Sequence, residues 1–106
     1  MLMQTGELSL RRDGALHDAL RDQLAGLLPP MARVVAHGWR PWASASFAGA
    51  RHWFDVRGGG DADAAPLAQL LATHEWALSG CFVADAGLDI EDAGSDWRVE
   101  LLTVDD

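Results

Sequence analysis

The chain has 106 residues, of which 49% are hydrophobic and 23% charged, with a net charge of −8 and a single cysteine. These values describe one globular domain and exclude wholesale disorder, two ordinary-sized domains and an intramolecular disulfide. No uncharged stretch approaches the roughly 20 apolar residues that cross a bilayer, no basic-then-apolar leader opens the chain, and the lone Cys81 fits a reducing compartment. A cytoplasmic protein with no membrane partner is therefore the expectation.

The first seven residues show no period and are expected to be frayed, or to form a short edge strand with Leu8 and Leu10. From Asp13 the spacing of Leu16, Ala19, Leu20, Leu24, Leu27 and Leu28 predicts a helix with one buried stripe, capped by Asp13 and ended by Pro29-Pro30. Three strands follow, over 32–38, 42–47 and 51–57. Arg40-Pro41 is expected to break the first pair, and Ala48-Gly49-Ala50 to supply the second turn. The segment RGGGDADAAP reads as a loop. A second helix starts between Asp63 and Pro66 and is expected to bury Leu67, Leu70, Leu71 and His74. Two last strands, 76–86 and 97–104, flank the acidic loop DIEDAGSD with Gly94 near its bend. The predicted fold class is α+β: a mainly antiparallel five-stranded sheet with two helices on one face, in the order α-β-β-β-α-β-β.

Alternation along the strands assigns each side chain to a face. His52, Phe54 and Val56 belong under the helices, as do Trp97, Val99 and Leu101, and Ala43, Ala45 and Phe47. The opposite, helix-free face then displays Trp42, Ser44, Ser46, Arg51, Trp53, Arg57 and Arg98. Such a face is more apolar than a lone monomer usually shows. One explanation is a homodimer whose two faces pack together. Another is a recognition surface for a protein partner, since Trp and Arg are enriched at binding hot spots and arginine grips carboxylates bidentately. A register one residue off would instead bury Trp53.

Charge argues against nucleic acid. Residues 1–57 hold seven Arg against five acids, whereas residues 58–106 hold one Arg against eleven, and the second half would repel a phosphate backbone. All eight basic residues are Arg.

Chemical motifs are sparse. The four histidines, His17, His37, His52 and His74, lie on separate predicted elements, so no short-range ligand pair is visible; His52 reads as a hydrogen-bonded core residue that geometry can bring near His37. His74-Glu75 opens like HExxH, but position 78 is Leu and the motif fails. His74 suits a helix C-terminus instead. Asp85, Asp89, Glu91, Asp92 and Asp96 match the EF-hand pattern only in part and fit a solvated loop better. Gly58-Gly59-Gly60 lacks a phosphate-loop context, Cys81 reads as a small buried hydrophobe, and no GxSxG occurs. The residues thus give no metal, cofactor or catalytic assignment, and leave open whether the chain is an enzyme.

The element order, small size and acidic charge resemble those of type III secretion chaperones, which implies a dimeric α+β protein that binds an unfolded partner. The departure is at the end, where those chaperones carry a further helix and this chain has the strand ELLTVDD. The expected function is a non-enzymatic module for self-association or protein interaction through the Trp/Arg face, with Trp42, Trp53, Arg51, Arg57, Arg98 and Ser44 as its binding residues. The rival is a small-molecule binding protein or enzyme with a pocket between sheet and helices, gated by the glycine loop and using His52, His37 or Arg51.

Overall fold

A computed structural model describes residues 2–58, 64–91 and 96–106, with side chains described for 13–58, 64–90 and 96–106. The elements run α1 (Leu2–Leu27), β1 (Arg33–Ala43), β2 (Ala48–Arg57), α2 (Ala65–Thr73), β3 (Cys81–Glu91) and β4 (Asp96–Asp105). The class is α+β, with two helices and one antiparallel sheet of four strands in the order β1-β2-β4-β3.

Helix α1 begins at Leu2 rather than at Asp13. Its first half is rich in Leu, Met, Gln, Glu and Arg, which propagate a helix by their own preference. Asp13 is consequently an internal position, 4% exposed, on the same stripe as the fully buried His17, Leu20 and Leu24. The helix ends just before Pro29-Pro30, where Ala32 N–H donates to the Pro29 carbonyl at 3.0 Å and turns the chain into the sheet.

Four strands stand where five were expected. Arg40-Pro41 does not break the first one, because β1 is a sheet edge and tolerates a residue without an N–H. The hairpin turn lies at 44–47 instead, closed by Ser44 N–H to the Phe47 carbonyl (2.7 Å) and Phe47 N–H to Ser44 Oγ (3.1 Å). The separate strand over 42–47 is thus absent, Ala43 and Ala45 are exposed, and Phe47 is 62% exposed rather than buried. Residues 74–78 are also irregular and β3 starts at Cys81, not Trp76. Gln23 of α1 holds that segment: its Nε2 donates to the Ala77 carbonyl, and its Oε1 accepts from Ala77 N–H, both at 3.0 Å.

The split of faces in β2 and β4 is as the alternation requires. Phe54, Val56, Trp97, Val99 and Leu101 are at most 1% exposed and pack against Leu20, Leu24, Leu67 and Leu71 from the helices. Within α2, Leu67 and Leu71 are buried as expected, but Leu70 is 44% exposed, since so short a helix turns only one narrow stripe inward. His74 caps the C-terminus of α2, its N–H donating to the Leu70 carbonyl at 2.8 Å, and meets Trp76 edge to face. Cys81 is buried. Gly59, Gly60, Asp63, Asp92 and Gly94 lie outside the described residues.

Candidate functional site

Both helices pack on one side of the sheet, and among the described residues nothing covers the other side. Directly paired residues of antiparallel strands share a face, so the register lists what that side presents. Arg40 pairs with Arg51, Arg51 with Leu102, and Leu102 with Asp85, a row across β1-β2-β4-β3. The next row is Gly38, Trp53, Glu100 and Gly87. Glycine is required at 38: a β-carbon there would run into the Trp53 ring, so the indole lies flat over β1 and is half-buried. Gly87 faces open space. With bare backbone at this outer position, the face sinks into a hollow of about 440 Å³ whose lining includes Arg40, Arg51, Trp53, Asp85, Glu100 and Leu102.

The electrostatics of this face are split by strand. Arg98 binds Asp55 bidentately, with Nε to Oδ1 at 2.7 Å and Nη2 to Oδ2 at 3.2 Å, and Arg57 lies 3.7 Å from Asp96. Among the described residues, Arg40 and Arg51 have no carboxylate within ion-pair distance, and Asp85, Asp89 and Glu100 have no cation. Two like charges directly opposed across strands destabilise a sheet unless something neutralises them. The β1/β2 half of the face is therefore cationic and the β3/β4 half anionic, with Trp53 and Leu102 between.

Of the six binding residues expected from the sequence, the structure brings Arg51, Trp53 and Arg98 together in the hollow. Arg57 sits at the far end of β2 in its ion pair, and Trp42 lies near the hairpin, its Nε1 donating to the Thr103 carbonyl of β4 at 3.2 Å. Ser44 belongs to the turn and spends its hydroxyl on Phe47. Alternation in 97–104 puts Glu100 on this face beside Arg98 and Leu102, but the argument missed Arg40, because the supposed break at Arg40-Pro41 took it out of the strand, and it missed Asp85.

On the helix side three histidines meet, although none was adjacent in sequence. His17 stands between the other two: its Nδ1 is 3.0 Å from His52 Nδ1, and its Nε2 is 2.8 Å from His37 Nδ1. His52 Nε2 lies 3.3 Å from Thr103 Oγ1, which donates to the Ala50 carbonyl at 3.2 Å. The tautomers follow from that last group, since a carbonyl can only accept. Thr103 must donate to it and so accepts from His52 Nε2–H; His52 Nδ1 is then bare and accepts from His17 Nδ1–H. His17 Nε2 in turn accepts from His37 Nδ1–H. His17 and His52 are both neutral in this arrangement. Burial, and then the neighbouring His37, lower the His17 pKa to about 4; burial, and then His17, do the same for His52. The His17 ring also stacks on Phe54 at 4.8 Å.

Only His37 reaches solvent, and the other end of the chain stops on a backbone carbonyl. A proton entering at His37 has no second exit, so the row works as a clamp between α1 and the sheet rather than as a conduit. Among the described residues, no group of three His, Cys, Asp or Glu side chains is arranged to hold a metal ion. Likewise, among the described residues, no helix is long and apolar enough to cross a membrane.

No protein-family model, no curated protein and no solved structure matches this chain.

Proposed function

We propose that this chain is a non-enzymatic binding module that works through the open face of its sheet, by self-association or by taking a protein partner there. One observation carries the reading: Arg40 and Arg51, directly opposed and without a carboxylate among the described residues, flank Trp53 and Leu102 on a face no helix covers. Unneutralised guanidinium pairs beside an indole are what an incoming carboxylate and apolar side chain would engage. The histidine chain supports the same reading from the other side, because it ties α1 to the sheet through His17 and His52, which are almost wholly buried.

The small-molecule alternative has its footing in a separate hollow of about 310 Å³ between α1 and the start of β3, lined by Leu16, Ala19, Leu78 and Cys81 among others. A small ligand that raises the melting temperature would favour it.

The test of the main reading is Leu102→Glu, which adds charge to the centre of the open face without touching the core. Its circular dichroism should match wild type while self-association or partner binding is lost. A variant that keeps every association of the wild type would refute the reading.

A further inference from the structure

The charges on the open face are arranged so that they complement a second copy of the same face. Rows run straight across the sheet: Arg40, Arg51, Leu102, Asp85 in one, and Trp42, Gly49, Val104, Phe82 in the row nearer the hairpin. These two rows are basic or aromatic at the β1 end and acidic or aromatic at the β3 end. Phe82 is 49% exposed.

Two sheets can pack face to face about two kinds of in-plane two-fold axis. An axis perpendicular to the strands sets β1 over β1, which brings the Arg40/Arg51 half against its own like. An axis parallel to the strands, between β2 and β4, keeps each row at its own height and reverses it. Arg40 then falls over Asp85 of the other copy and Arg51 over Leu102, each contact occurring twice. Gly38 falls over Gly87, so the Trp53 indole that covers Gly38 meets the bare backbone at Gly87 of the other copy. Packed sheets stand about 10 Å apart, a gap that one arginine side chain crosses.

We infer that the occupant of the open face is a second copy of this chain, packed sheet to sheet about a two-fold axis parallel to the strands, with Arg40 of each copy paired to Asp85 of the other. The inference rests on the reading of the open face as the working surface and names its partner. Four strands about 4.8 Å apart and seven residues of about 3.3 Å cover on the order of 440 Å² per copy in projection, the small end of specific interfaces. The dimer is accordingly reversible, and it weakens as salt screens its ion pairs.

The experiment is sedimentation equilibrium on wild type, Arg40→Asp, Asp85→Arg, the double variant, and an equimolar mixture of the two single variants, each shown to be folded by circular dichroism. Either single change opposes like charges twice per dimer and weakens association by about tenfold or more. The double variant restores opposite charges at both contacts. So does the mixture, which forms a heterodimer although each component alone is monomeric. Single variants that dimerise as wild type does, or single variants that neither the double variant nor mixing rescues, overturn the inference. If Leu102→Glu still abolishes a wild-type dimer in that case, the open face stands as the interface and only the axis is wrong. A wild type that stays monomeric overturns the second copy and leaves the protein-partner form of the reading, which Leu102→Glu then decides.

Discussion

Replacing His17 with Gln tests the histidine chain through the pH dependence of stability. In the folded protein His17 and His52 titrate near pH 4, against 6.5 for an unperturbed histidine. Between those values the unfolded chain binds more protons than the folded one, so stability is fully present above pH 6.5 and is lost as pH falls toward 4. A shift of this size corresponds to on the order of 3 kcal/mol for one histidine, with a slope of at most about 1.4 kcal/mol per pH unit. Two histidines give less than twice that, because the two rings are neighbours and part of the His52 shift is repulsion from His17. Asp18 favours a charge on His17 and Arg21 opposes it, both weakly compared with burial. His17→Gln keeps one donor and one acceptor between His37 and His52 but cannot titrate. Urea unfolding at several pH values from 7 to 4.5 should give a variant less stable than wild type at pH 7, with the gap closing as pH falls. A variant whose free energy runs parallel to that of wild type over this range would show that His17 is not a buried neutral group.

Three further substitutions probe the frame around the site. Gly38→Val pushes a branched side chain into the Trp53 ring and should cost about 1–3 kcal/mol in chemical denaturation, with a shift in tryptophan emission. Gln23→Ala removes both hydrogen bonds to Ala77 and should cost about 1–2 kcal/mol, with faster amide exchange at Ala77. Phe47→Ser, at the exposed hairpin turn, should stay within about 0.5 kcal/mol of wild type in the same assay.

Periodicity made the interior readable. His52, Phe54 and Val56 in β2 and Trp97, Val99 and Leu101 in β4 alternate cleanly, and all six are buried where alternation put them. The helical stripe at Leu20 and Leu24 was equally plain, and Asp13 and His17 lie on the same stripe, though Asp13 looked like a cap. The hairpin was misread because Pro and Gly mark turns by their own conformational needs, whereas an edge strand removes the penalty on Pro41 and Gly49 serves the sheet. That error hid Arg40 and produced a strand that does not exist. The histidine chain was beyond local patterns altogether: each ring sits on its own element, and only the packing of α1 across β1 and β2 brings them within hydrogen-bond distance. The polarity of the open face likewise depends on strand order. β4 inserts between β2 and β3, and this places Leu102 and Glu100 between the arginines and Asp85.

The most direct measurement is a dilution series followed by amide and indole chemical shifts. Concentration-dependent shifts are expected to cluster on the open face, at Arg40, Arg51, Trp53, Glu100 and Leu102, while exposed positions on α2 such as Leu70 stay still. Shifts that cluster on the helices, or spectra that do not change at any concentration, would contradict self-association through the sheet.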